Sequence, residues 1–329
     1  MSAMADAVKS AFQREFITTS GRLAYDDQTS YALAILHGLI PEQFLEAARG
    51  YFKATIARAD GRLGTGFIGT PALLPALVKM GEVQLAADIF LQEEVPGWLY
   101  QVKMGATTIW ERWDAIQPDG TIYNPEMNSY NHYSYGSVCQ WLFESVAGFQ
   151  PDPETPGFAT IIFRPTIIPE LSPVSAWHES ARGRIEAGWS VQGRQVRYDI
   201  EVPAESRGVL RLPDDYRRPT VDGSPFAGEY LGPGKHRITF SMASDHPRCS
   251  ARLGACRRGR VTCHRQPTPP SSHQMDGPAF RAERDSRWAP TELSRAIRVG
   301  VTTKCSASVR PPMRSRSNCV AFRPSSRPD

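Results

Sequence analysis

The hydrophobic period of the chain changes once, at "PDPETPGF" (151–158), and that change decides the class of fold. Before it, apolar residues recur at helical spacing. "ADAVKSAFQREF" sets Ala7, Ala11 and Phe12 on one face, extended by Val8 and Phe16. "TSYALAILHGL" and "PEQFLEAARGYFKATIA" continue the pattern, with Pro41 suited to a first helical turn. Thr70 is expected to cap the next helix, which runs through "ALLPALVKMG" to a stop at Gly81 and bends at Pro75. "EVQLAADIFLQEE" follows at once, so the two helices must form a hairpin. A loop-rich stretch from Pro96 to Asn131 precedes a last helix, about His132 to Gly148. After the change, "FATIIFRP", "RGRIEAGWSVQG", "RQVRYDIEVP", "RGVLRLP" and "KHRITFSM" are short, rich in β-branched residues and divided by Gly/Pro turns. They predict an antiparallel β-sandwich. The expected class is therefore α+β and multidomain: a helical unit over 1–150 and a β-domain over 151–244.

Neither period survives beyond residue 245. Residues 243–329 hold 17 basic and 6 acidic groups, against 21 and 28 in the rest, and five of the six cysteines. "RQPTPPSSHQ" and "RPPMRSRSN" are low-complexity, and a segment with no apolar face cannot offset its ordering entropy. A disordered basic tail over 245–329 is expected, and its abrupt onset suits an out-of-frame or fused end. Aromatic residues among its charges are few, only Phe280, Trp288 and Phe322, and do not form the regular interleaving that nucleic-acid binding would favour, so no nucleic-acid partner is expected. Cys249, Cys256 and Cys263, with His264, lack the tight ligand pairs of common zinc sites, so no metal is expected. No run of ~18 apolar residues is present, and a membrane partner is not expected. "MSAMADAVKSAFQREF" is amphipathic rather than signal-like, which makes the cytoplasm the default location.

The chemistry-bearing stretch is "GATTIWERWD" (105–114), which sets Glu111 between Trp110 and Trp113 with Arg112 beside it. Trp98, Tyr100, Tyr123, Tyr130, Tyr133 and Tyr135 surround it in sequence, and Asn128, Asn131 and His132 add polar groups. Apolar walls with a few placed polar groups suit a neutral polar ligand such as a sugar. Packing in a helical core is the plainer account of any single ring. For Glu111, desolvation by two tryptophans favours proton transfer, while a neighbouring Arg112 favours the ionised state. His132 is expected to open the last helix, where the dipole favours electron-rich partners.

These residues carry a resemblance. "TGFIGTPALLPAL", "WLYQVKMGATTIWERWD", "DGTIYNPEMNSYNHYSYGSVCQWLFESVAGFQPD" and "GFATIIFRP" resemble bacterial α-L-rhamnosidases of glycoside hydrolase family 78, over roughly residues 20–240. The resemblance implies the C-terminal half of an (α/α)6 barrel followed by a β-sandwich, and inverting removal of terminal L-rhamnose from glycosides without cofactor. It implies Glu111 as the general base that activates water and His132 as a rhamnose contact. Trp110 and Trp113, which wall Glu111 in sequence, are expected as further sugar contacts. The helices found number about half the twelve of such a barrel, and no stretch matches the family's general acid. Asp26 and Asp27 fall in a mid-barrel segment. The expectation is a truncated rhamnosidase lacking its acid. The alternatives are a non-catalytic carbohydrate-binding remnant and a different (α/α)6 glycoside hydrolase. Oligomeric state is not legible.

Overall fold

A computed structural model describes residues 2–126, 128–243 and 297–301 of the chain. The first half is helical: α1 (Ser2–Phe16), α2 (Gln28–Leu36), α3 (Leu45–Arg58), α4 (Thr70–Lys79), α5 (Val83–Phe90) and α6 (Trp98–Lys103). Asp27 caps α2 by accepting the Ser30 N–H at 2.8 Å. Helix α4 corrects one expectation. Its N-cap is Gly69, and Thr70 is already helical, its hydroxyl turned back to Gly66 O at 2.8 Å. Pro75 sits within α4 without ending it, and α5 returns against α4 as the expected hairpin. Tyr31, Phe52, Ile56, Leu73, Leu77 and Ile89, all buried, knit α2 to α5 into one core.

The last helical segment starts later than expected, as a 3-10 turn (Ser134–Ser137). It widens into α7 (Val138–Trp141) and ends in a π-helical stretch (Leu142–Ala147). His132 therefore lies in the loop ahead of it, not in its first turn. Gly148 ends it with φ +79°, and the first strand, β1 (Phe149–Pro151), begins at the next residue.

The β-domain has two sheets. β1 joins β2 (Thr160–Phe163), β6 (Arg207–Leu210) and β9 (Tyr230–Leu231) in the order β1-β2-β6-β9. The larger sheet contains β3 (Val174–Ser180), β4 (Gly183–Gln192), β5 (Gln195–Val202), β7 (Tyr216–Val221), β8 (Ser224–Pro225), β10 (Gly234–Met242) and β11 (Ile297–Val301). Their order is β11-β3-β4-β5-β10-β7-β8. Alternation decides which face is inward: Ile185, Ala187 and Trp189 of β4, Val196, Tyr198 and Ile200 of β5, and Ile238 and Phe240 of β10 are buried. Phe163 of the smaller sheet meets Tyr198 of the larger at 6.5 Å, so the two stack as a sandwich. The pairing is not wholly antiparallel, because β2–β6 and β11–β3 are parallel.

β11 also modifies the reading of the tail. Five of its residues form a strand on the β3 edge, where unpaired backbone groups accept a β-branched segment. The other tail residues, including Cys249, Cys256, Cys263 and His264, lie outside the described residues.

The two halves are joined through backbone chemistry. The final carbonyls of a helix lack intrahelical partners. Here Trp189 Nε1 donates to Val146 O at 2.7 Å, and the Tyr198 hydroxyl lies 3.0 and 3.2 Å from Ala147 O and Gly148 O. Side chains of the sandwich thus complete the helix end, and one continuous core runs through both halves.

Candidate active site

The stretch from Pro96 to Asn131, read as loop, contains the short helix α6, and α6 is what holds the rest. Trp98 donates from Nε1 to Tyr135 O at 2.9 Å, and the Tyr100 hydroxyl donates to Ile116 O at 2.6 Å. Both rings are buried, so the two loops that carry Glu111 and His132 hang from one post.

Those loops then pair with each other. The Glu111 N–H donates to Ser129 O at 2.8 Å, and the His132 N–H donates to Ile109 O at 2.8 Å. Thr108 Oγ1 donates to Tyr130 O between them. Glu111 and His132 are far apart in sequence, and this ladder makes them neighbours. The half-buried Glu111 carboxylate is aimed by a further bond, the Ser129 N–H to Oε2 at 2.9 Å. Among the described residues Oε1 has no partner, which leaves it as the oxygen open to a water or a ligand hydroxyl. Arg112 does not bridge to Glu111. Its Nε lies 3.3 Å from Asp114, and its guanidinium sits over the Tyr123 ring at 4.1 Å.

The tryptophans depart from the expectation of open sugar-binding faces. Trp110 is 3% exposed and meets Tyr130 edge-on at 5.8 Å. Trp113 is 9% exposed, stacks on Tyr135 at 3.8 Å and meets Trp98 edge-on at 5.2 Å. The loop has few other apolar groups, so these rings supply its core on either side of Glu111 in the chain.

The exposed rings near His132 are others. Phe67 stacks on the His132 imidazole at 4.8 Å, and Tyr133 stacks at 5.6 Å. Phe67 is 42% and Tyr133 85% exposed. The Ser134 N–H faces His132 Nδ1 at 3.5 Å, a long contact. Phe67 was legible only as an apolar pair, Phe67-Ile68, in a glycine-flanked loop. Asn128 donates to Ala115 O at 3.1 Å, while its buried Oδ1 has no partner among the described residues.

Four other carboxylates of the helical half are bonded elsewhere. Asp26 accepts from Arg22 at 2.6 Å, Arg58 at 2.9 Å and Tyr31 at 3.1 Å. The Arg22 bond above all holds Asp26 below the usual carboxylate range. Asp27 caps α2, Glu94 bonds Arg62 at 2.5 Å, and Asp114 pairs with Arg112. Among the described residues no group of three or more His, Cys, Asp or Glu side chains is placed to hold a metal ion. No helix there is long and apolar enough to cross a membrane.

Known proteins share this arrangement of domains. A family model described as bacterial alpha-L-rhamnosidase 6 hairpin glycosidase domain matches residues 2–146, and one for the bacterial alpha-L-rhamnosidase C-terminal domain matches 148–224. The chain is similar to an α-L-rhamnosidase of Streptomyces avermitilis, 34% identical over 240 residues, covering 70% of this chain and 23% of that one. It is 33% identical to an α-L-rhamnosidase of Formosa agariphila over 57% of this chain and 20% of that one. The solved structure of the S. avermitilis enzyme complexed with L-rhamnose superposes with a TM-score of 0.66 at 32% identity, over 72% of this chain and 24% of that one. The native Aspergillus terreus α-L-rhamnosidase gives 0.64 at 32% identity, over 72% and 26%. The chain spans about a quarter of the length of these relatives.

Proposed function

Because the chain belongs to the bacterial α-L-rhamnosidase family, a family of glycoside hydrolases, we propose that it contributes the general-base side of a site that removes terminal α-L-rhamnose from glycosides. The observation that carries this reading is the Glu111 carboxylate, seated by the Ser129 N–H through Oε2 with Oε1 open. Inverting hydrolysis needs one carboxyl group to protonate the leaving oxygen and a second, ~6.5–9.5 Å away, to activate water. Glu111 takes the second role. Water bonded to Oε1 loses its proton as it attacks the anomeric carbon. His132 hydrogen-bonds a sugar hydroxyl through its imidazole, and Phe67 and Tyr133 offer faces to the apolar side of the ring. Trp110 and Trp113 act through packing on either side of Glu111 in the chain rather than through open faces.

The acid is a separate matter. Asp26, Asp27, Glu94 and Asp114 are each bonded to a cation or a helix end, which argues against any of them as the acid. Those commitments favour a second reading, in which the 329 residues alone bind the sugar without cleaving it. One assay separates the two. The purified chain is expected to release no rhamnose from an aryl α-L-rhamnoside. The same residues joined to the upstream region of the S. avermitilis relative are expected to turn over. Glu111→Gln in that active protein should lower the rate roughly 10²–10⁴-fold, the usual contribution of a general base. A full rate in the Gln variant would remove the base assignment, and rapid hydrolysis by the 329 residues alone would mean that a local carboxylate such as Asp26, Asp27, Glu94 or Asp114 serves as the acid.

A further inference from the structure

We propose that Gln101 is a positioning residue for Glu111, a proposal that rests on reading Glu111 as the base. Gln101 lies on α6 and is 2% exposed, a buried polar side chain on a short helix. Its amide spans the backbone on both sides of Glu111. Oε1 accepts the Trp110 N–H at 3.3 Å, and Nε2 donates to Arg112 O at 3.2 Å. One orientation of the amide satisfies both bonds, so the side chain imitates the ladder contact of a neighbouring strand. The opposite edge of the same segment is held by Ser129, through the Glu111 N–H and the Glu111 carboxylate. Glu111 is thus gripped between a real strand-like partner and a side chain acting as one.

The clamp matters because the 110–112 segment has no regular secondary structure to fix it. Without Gln101 the Trp110 N–H and Arg112 carbonyl lose their partners inside the protein, a cost that favours a shifted or fluctuating loop. Glu111 would still be present, but its Oε1 would no longer be held at one place. A base displaced by about 1 Å loses much of its rate while the sugar contacts persist.

The test begins with amide hydrogen exchange on the 329-residue chain, which needs no turnover. Gln101→Met keeps the length of the side chain and removes both bonds. It is expected to lower the protection factor of the Trp110 amide by about tenfold or more, with loss of protection at Glu111 and Ser129. Gln101→Glu accepts from Trp110 in either protonation state, but only its neutral acid donates to Arg112 O. Burial favours that neutral form. Near pH 5, where the neutral acid makes both bonds, Gln101→Glu should therefore hold Trp110 protection close to wild type. A residue that merely fills space would leave Trp110 protection in Gln101→Met at the wild-type level too. If Gln101→Met fails to fold, Gln101→Leu takes its place. Unchanged Trp110 protection in a folded Gln101→Met or Gln101→Leu, or a folded Gln101→Glu no better protected near pH 5 than they are, overturns the clamp.

The role in catalysis is read in the upstream-joined, active protein. There Gln101→Met should lower kcat while KM stays within about twofold, since binding is shared with His132 and the aromatic rings. A rise in KM at constant kcat would overturn the positioning role. Full turnover by Glu111→Gln would instead remove the base reading, whatever the exchange data say of the clamp.

Discussion

Gly148→Ala isolates the joint between the helices and the sandwich. Gly148 has φ +79°, and a Cβ there would lie 2.2 Å from Pro165 Cα, 2.3 Å from Pro165 N and 2.7 Å from Arg164 C. These are backbone atoms, so no side chain can swing aside to make room. Left-handed φ costs an L-residue ~1–2 kcal/mol. Forcing the backbone apart adds a further ~1–3 kcal/mol, as overpacking in a filled core does. The expected loss is therefore about 2–5 kcal/mol, the sum of those two costs. Gly157→Ala is the control. Gly157 has φ +74° but nothing within 4 Å of its Cβ position, so only the conformational cost of ~1–2 kcal/mol applies. Urea unfolding of wild type and both variants, followed by tryptophan fluorescence, measures the difference. The two variants should differ by about 1–3 kcal/mol, with Gly148→Ala the weaker. Equal losses, or a loss under about 1 kcal/mol at Gly148, would refute the idea that close backbone approach sets this joint.

Two smaller expectations follow from protonation. Cys139 is buried, and burial pushes its thiol up to about 11. Peptide mapping after iodoacetamide treatment at pH 8 should find Cys139 unlabelled in the folded chain and labelled in urea, since the thiolate is the nucleophile. Prompt labelling without denaturant would contradict the packing around α7. Asp26 is the acidic counterpart. Its carboxyl is held low in the folded state, first by the Arg22 bond, so its contribution is full above the unfolded value and is lost as pH falls through the folded one. The stability gap between wild type and Asp26→Asn should be constant above roughly pH 5 and shrink below about pH 4, near the ordinary Asp value. A gap that widens on acidification would reverse the assignment.

Local pattern made much of the fold legible. Helical spacing located α1 to α5, and short β-branched runs between Gly/Pro turns located β2, β4, β5, β6 and β10. "GATTIWERWD" likewise marked Glu111 by residue type, and "NSYNHYSYGS" marked His132. What those motifs did not reveal was support. Helix α6 was hidden because six residues carry too little period to stand out, and it forms because Trp98, Tyr100 and Gln101 bond to loops that arrive later in the chain. The tryptophans looked like walls, yet Tyr135 and Trp98 cover Trp113 from positions distant in sequence. The parallel β2–β6 and β3–β11 pairings were invisible for the same reason: strand alternation says which face is buried but not which neighbour is met. Residue type and spacing named the chemistry of Glu111 locally. The open Oε1, the seated Oε2 and the partnership with His132 come from long-range backbone pairing between 109–111 and 129–132, which only the folded chain brings together.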